Sequence, residues 1–160
     1  MDKIDSFKVD HNNLNPGIYV SRKDYLTEST VLTTFDIRLT KPNKEPAIES
    51  GALHAIEHLG ATFLRNNEKI KNKVIYFGPM GCRTGFYLIL NENLESKDII
   101  YLIRDLFEFI LKFKSEIPGA TPKECGNYLD MNLNMAKYYS NIFIDKTLKN
   151  IENKNLIYPK

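Results

Sequence analysis

The sequence predicts a single α+β domain over residues 1–160, several antiparallel strands with two or three helices packed on one face of the sheet. Three observations lead there. Residues 31–39 alternate apolar and polar side chains as a half-buried strand does. Residues 98–113 place apolar side chains at the three- and four-residue spacings of an amphipathic helix. No repeat or low-complexity run divides the chain, and 160 residues bury one respectable core but not two comfortable ones.

The first element is an extended N-terminal arm, because Ser6-Phe7-Lys8-Val9-Asp10-His11 alternates before Asn-rich sequence and the turn signal Pro16-Gly17. Ser6 and His11 are candidate polar contacts on that arm, although any surface segment carries such residues. Residues 18–20 read as a short strand. In residues 31–39, Val31, Thr33, Phe35, Ile37 and Leu39 point one way and Asp36 and Arg38 the other. Arg38 either binds a substrate oxygen or pairs with Asp36 on a wet sheet face. A loop over residues 41–46 then leads into a helix whose expected N-cap is Ser50.

That helix, around residues 53–65, holds the sharpest chemical signal. His54 and His58 are one turn apart and can aim two imidazole nitrogens at one metal ion, and Glu57 lies between them. His-x-x-Glu-His inverts the usual metalloprotease order and is the signature of the inverzincins, where the Glu is the base beside the metal. The same residues also suit a solvated helix face. Leu53, Ile56, Leu59, Gly60 and Phe63 form the apolar stripe that anchors the helix. Arg65 falls on the stripe of the His pair, roughly 16 Å along the axis. It can hold an anionic end of a substrate or complement the helix dipole. Gly60 costs about 1 kcal/mol in a helix interior, which points to close approach by another backbone or by a ligand.

Residues 74–77 and 86–90 read as strands around Gly78-Pro79-Met80-Gly81-Cys82-Arg83-Thr84-Gly85. A turn this rich in glycine can free backbone amides to stabilise a thiolate, so Cys82 is a candidate for proton transfer or nucleophilic work. An inert hairpin cysteine is the competing reading. Residues 98–113 are core. A last substantial helix is expected from Cys125-Gly126 through Tyr139, and beyond Ile142 an Asn- and Lys-rich tail, helical and then frayed. Cys125 is suited to be a third, soft ligand beside the His pair. The face of the sheet left open needs a cover, and apolar side chains such as Phe35 and Ile37 make homodimerisation a plausible one.

Composition narrows the class. With 42% hydrophobic and 26% charged residues the chain matches a soluble globular protein. The 22 basic and 20 acidic residues are interspersed and leave a net charge of +2, which gives no reason to expect nucleic acid or an anionic membrane as partner. The charged N-terminus resembles no signal peptide and no run approaches 18 apolar residues, so a cytoplasmic location is expected. Free thiols or metal ligands suit Cys82 and Cys125 better than a disulfide there.

Taken in order, Ser6-Phe-x-x-Asp-His11, Phe35-Asp-Ile-Arg38, Pro42-Asn-Lys, His54-x-x-Glu-His58-Leu, Gly78-Pro-Met-Gly-Cys82-Arg-Thr-Gly-Phe-Tyr-Leu and Cys125-Gly resemble the LuxS family, the S-ribosylhomocysteine lyases, over about residues 5–140. The resemblance implies an inverzincin-like α+β homodimer with sheets and active sites at the subunit interface. Each subunit would hold one Fe²⁺, for which Zn²⁺ or Co²⁺ can substitute, on His54, His58 and Cys125. Glu57 and Cys82 would shuttle protons, and Ser6, His11, Arg38 and Arg65 would line the substrate site. The implied reaction converts S-ribosylhomocysteine to homocysteine and 4,5-dihydroxy-2,3-pentanedione, precursor of the autoinducer AI-2. Two positions depart from the family pattern. Tyr76 stands where an Asp is usual, and Met131 where a His is usual. A metal-binding paralogue with an altered or lost substrate is therefore the alternative expectation.

Overall fold

A computed structural model describes residues 2–159. Its sheet has four antiparallel strands in the order β1-β2-β4-β3: β1 Gly17–Tyr25, β2 Val31–Arg38, β3 Val74–Pro79 and β4 Gly85–Asn91. Helix α1, Ser50–Asn66, packs on β3 and on both other helices, α2 (Ile100–Lys112) and α3 (Leu133–Lys146). The pleat assigns each strand residue to one of two faces. Ile18, Ile37, Phe86 and Phe77 join Phe35 and Leu88 under the helices as a buried core. On the opposite face the register sets Tyr19 beside Asp36, Asp36 beside Tyr87 and Tyr87 beside Gly78. A groove of about 500 Å³ runs over this helix-free face, lined among others by Ser6, Thr34, Tyr76, Tyr87 and Ile89.

Several expectations are corrected. Phe35 and Ile37 are wholly buried by the chain's own helices, so they do not ask for a second subunit. Any such argument moves to the other face. The N-terminal arm coils: Asp5–Phe7 is a 3₁₀ turn, and the Asp10 carboxylate accepts hydrogen bonds from Asn12 N–H and the Asn13 side chain, closing a turn that alternation alone does not reveal. The strand expected at 18–20 runs to Tyr25. Glu49, not Ser50, caps α1, its carboxylate accepting from Gly51 N–H at 2.9 Å and Ala52 N–H at 3.0 Å. Cys125 opens no helix. It lies in a series of turns, and α3 begins only where the Asn132 side chain accepts from Met135 N–H at 3.0 Å while its own N–H donates to the Gly51 carbonyl. The tail is docked rather than frayed. Asn155 donates to the Pro16 carbonyl, Ser96 to the Leu156 carbonyl, and the Tyr158 ring stacks on Tyr19.

Candidate active site

Helix α1 carries the first half of the candidate site. Its core face, Leu53, Ile56, Leu59 and Leu64, is buried, which turns His54, Glu57 and His58 to the flank. Gly60 is explained by β3, since a Cβ there would lie 2.3 Å from the Phe77 ring. The neighbour that this glycine admits is thus a side chain, not the backbone or ligand that its place in the sequence suggests.

Backbone carbonyls from two distant turns fix the imidazoles. His54 Nδ1 is 2.8 Å from the Asp130 carbonyl, and His58 Nδ1 is 2.8 Å from the Pro118 carbonyl. A carbonyl only accepts, so each Nδ1 is the donor and Nε2 is the ring nitrogen left to face the cluster. Cys125 Sγ sits 3.3 Å from His54 Nε2 and accepts from Asn127 N–H at 3.4 Å. One donor atom from each of His54, His58 and Cys125 lies within 4.8 Å of the other two. Tetrahedral bonds of about 2.0–2.3 Å set donors about 3.4–3.7 Å apart, so the cluster closes on a divalent ion with small adjustments. The orienting carbonyls are what a ligating histidine requires. Glu57 places a carboxylate oxygen 3.9 Å from His58 Nε2, beside the point where the donors converge.

The second half occupies the helix-free face of the sheet. Asp36 and Arg38, both buried, form a two-point ion pair, Nε to Oδ1 at 3.1 Å and Nη2 to Oδ2 at 2.5 Å. Arg38 thus does pair with Asp36, on a buried rather than a wet face, and its remaining nitrogen faces the cysteine turn. Nη1 donates to Thr84 Oγ1 at 2.5 Å and lies 3.7 Å from Cys82 Sγ. Since the Thr84 oxygen accepts from Arg38, its own proton is available to Cys82 Sγ, 3.1 Å away. Partial burial works against a thiolate at Cys82, but the hydrogen bonds from the Thr84 hydroxyl and backbone, with the Arg38 cation, outweigh it and hold the thiol below its usual range. Ser6, Val9, His11, Asp36, Arg38, Tyr87 and Tyr158 enclose a cavity of about 20 Å³, room for one water-sized group.

The two halves are tied through the backbone. Ile48 N–H, just before α1, donates to the Arg83 carbonyl at 2.8 Å, and Arg83 adopts a left-handed φ of 58° that tightens the cysteine turn. Arg65 makes no described hydrogen bond to either half: its guanidinium donates to the carbonyls of Val74 and Ile75 at 3.2 and 3.1 Å and ties α1 to β3. Tyr76 lies half-exposed in the groove with its hydroxyl over Gly78, where a Cβ would come within 2.1 Å of it. Met131 is partly buried and packs against the hydrophobic core.

Sequence reasoning missed Thr84, Tyr158 and the two carbonyls of Pro118 and Asp130. Thr84 stands two residues from Cys82 and was legible as a neighbour of the thiol. Pro118-Gly119 is a turn signal, but nothing in it announces a histidine. Tyr158 carried no signal at all.

A pair of locked imidazoles, a converging thiol and an adjacent carboxylate on an α+β scaffold define a candidate metal-dependent enzyme. A family model described as S-ribosylhomocysteinase (LuxS) matches residues 4–154. The S-ribosylhomocysteine lyase of Finegoldia magna is 62% identical over 160 residues, covering the whole of both chains. Those of Clostridium beijerinckii and Borrelia garinii subsp. bavariensis are 57% and 60% identical over 159 residues, 99% of this chain and 99% and 100% of theirs. The chain belongs to the LuxS family.

Proposed function

We propose that this chain is an S-ribosylhomocysteine lyase that releases homocysteine and 4,5-dihydroxy-2,3-pentanedione, the AI-2 precursor. The observation that carries the reading is the convergence of His54, His58 and Cys125 with Glu57 beside them. The full-length similarity to relatives bearing that name supports it.

His54, His58 and Cys125 would hold one divalent ion per subunit, Fe²⁺ with Zn²⁺ or Co²⁺ as substitutes. When bound, the ion supplies Lewis acidity to a carbonyl oxygen, so that a proton on the adjacent carbon becomes acidic. The remaining work is proton transfer. Two shifts move the carbonyl along the opened ribose, and β-elimination then removes one further carbon-bound proton as the homocysteine sulfur departs and is protonated. Cys82, held toward the thiolate by Thr84 and Arg38, accepts a proton from carbon. Glu57 serves the other face of the reacting chain, which suits a reaction with protons on successive carbons. Ser6, His11 and Arg38 orient substrate hydroxyls around their small cavity. Arg65, close to the edge of β3, is assigned to the homocysteine end through whichever N–H groups Val74 and Ile75 leave available.

The proposal includes a homodimer that pairs helix-free sheet faces and completes each site at the interface. Half-exposed Tyr76, the exposed Ile4 and Phe7, and the groove on that face support it. Two free thiols at Cys82 and Cys125 suit a cytoplasmic setting, with no nucleic-acid or membrane partner; no helix among the described residues is long and apolar enough to cross a membrane.

The test is thiol release from S-ribosylhomocysteine by anaerobically purified protein, with metal analysis and sedimentation of the same sample. We expect release at one metal per chain and its loss in Cys82→Ala and Glu57→Gln. A metal-loaded wild type that releases no thiol overturns the lyase reading. An active Cys82→Ala or Glu57→Gln overturns that residue's role.

A further inference from the structure

We propose that Tyr158, on the C-terminal tail, is a positioning residue for the Cys82 site: its hydroxyl fixes Asp36, Asp36 fixes Arg38, and Arg38 sets the surroundings of the Cys82 sulfur. The proposal rests on the reading of Cys82 as a proton-transfer group. Tyr158 Oη donates to Asp36 Oδ2 at 2.9 Å, the same oxygen that Arg38 Nη2 reaches. Asp36 is 1% exposed, so its carboxylate depends on protein donors, and Tyr158 supplies the one that does not come from Arg38 among the hydrogen bonds described. The guanidinium is a rigid plane. Two of its nitrogens are pinned to Asp36, so the position of the carboxylate determines where Nη1 points, and Nη1 points at Thr84 Oγ1 and Cys82 Sγ.

The tail is built to deliver this hydroxyl. Tyr158 stacks on Tyr19 with ring centroids 4.8 Å apart and 9° between planes. Tyr19 in turn donates to the carbonyls of Asn15 and Lys154, both at 2.9 Å. Gly17 lets the tail lie flush on β1, since a Cβ there would fall 2.1 Å from the Asn155 carbonyl oxygen. A surface tail with no task has no need to thread an aromatic hydroxyl to a buried carboxylate. Burial and the Asp36 charge push the Tyr158 phenol far up, so the hydroxyl remains a donor throughout the working pH range.

The groups that bear on Cys82 and its clamp are Arg38 and Asp36 on β2, Tyr19 on β1, Tyr87 on β4, His11 on the N-terminal arm and Tyr158 itself. Without the Tyr158 hydroxyl, Asp36 rotates, Nη1 drifts from the cysteine turn and the thiolate loses support.

The experiment measures alkylation of Cys82 by iodoacetamide against pH, resolved from Cys125 by peptide mass, on the full chain. It is run on wild type, Tyr158→Phe and Tyr19→Phe, alongside kcat and KM for thiol release. Phe keeps the stacked ring, and thermal melts verify folding. We expect Tyr158→Phe to raise the Cys82 midpoint by about half to one pH unit, which is about three- to tenfold less thiolate below the midpoint. We expect kcat to fall by a similar factor with KM within about twofold, and Tyr19→Phe to leave the midpoint in place. An unmoved midpoint in folded Tyr158→Phe overturns the proposal, as does an equal shift in Tyr19→Phe, which would assign the effect to tail docking alone. Alkylation needs no substrate. A wild type that releases no thiol therefore refutes the lyase reading while leaving this comparison readable.

Discussion

Gly119→Ala should perturb the proposed metal centre without touching any of its proposed ligands. Gly119 has φ of +77°, a left-handed conformation that costs an L residue about 1–2 kcal/mol. An added Cβ would also stand 3.0 Å from His58 Nδ1 and 3.1 Å from Cε1, so loop and ring must separate by a few tenths of an ångström. The Pro118 carbonyl that holds the Nδ1 proton at 2.8 Å belongs to the adjoining peptide and moves with the loop. Disturbing such an orienting partner typically lowers metal affinity 10–100-fold, about 1.4–2.7 kcal/mol. The strain should also lower the melting temperature by about 2–8 °C for a chain of this size. The assay is competition for Zn²⁺ or Co²⁺ between a chelator and metal-free protein, with Gly81→Ala as control because a Cβ there meets nothing within 4 Å. Affinity within twofold of wild type, despite a lowered melting temperature, would refute the claim that the Pro118–Gly119 turn holds His58 in register.

Three further outcomes follow from the same geometry. Asp36→Ala leaves Arg38 buried and unpaired and should cost about 3–5 kcal/mol in urea denaturation, most of it regained in Asp36→Leu combined with Arg38→Met; a single-variant loss under about 1 kcal/mol contradicts the pairing. Because the folded protein holds the Cys82 thiol below its usual range, alkylation at Cys82 should reach its midpoint below the ordinary value of about 8.5, and Thr84→Val, which removes a donor to the thiolate, should move it up; an unchanged midpoint refutes Thr84 as the main support. Gly60→Ala gains about 1 kcal/mol of helix propensity but drives a methyl into Phe77, which is itself stacked on Phe86, so a net loss of about 1–2 kcal/mol is expected on thermal or chemical denaturation and a stabilised variant disproves the close approach.

What could be read from the sequence divides by the range of the interaction. The period of β2 gave its two faces because successive side chains must alternate, and the structure keeps Phe35 and Ile37 on one side and Asp36 and Arg38 on the other. The His54–His58 pair was legible because a helix brings residues four apart together whatever else the chain does. The segment 114–132 defeated the same method. Its Pro, Gly and Asn residues form consecutive turns without a period, so the sequence opens a helix at Cys125 that in the structure begins only at Leu133. Its meeting with His54 depends on where two turns are laid against α1, through the Asp130 carbonyl on His54 and the Asn132 N–H on the Gly51 carbonyl. Backbone groups have no letter in the sequence, and they decide where His54, His58 and Cys125 meet.

The helix-free face carries this one step further. Once β2 and β4 pair, the register sets Asp36 beside Tyr87 and Arg38 beside Gly85, and the guanidinium reaches Thr84 and Cys82 as a consequence. The alternation that identifies β2 as a strand therefore also creates the clamp on the thiol, provided the buried carboxylate is held still. Local sequence cannot supply that condition. The proposed anchor is a tail residue 122 positions away, Tyr158, whose hydroxyl donates to Asp36. Truncation before Tyr158 should accordingly impair proton transfer while leaving the His54, His58 and Cys125 donors able to bind metal, since no tail contact touches that cluster among the described hydrogen bonds.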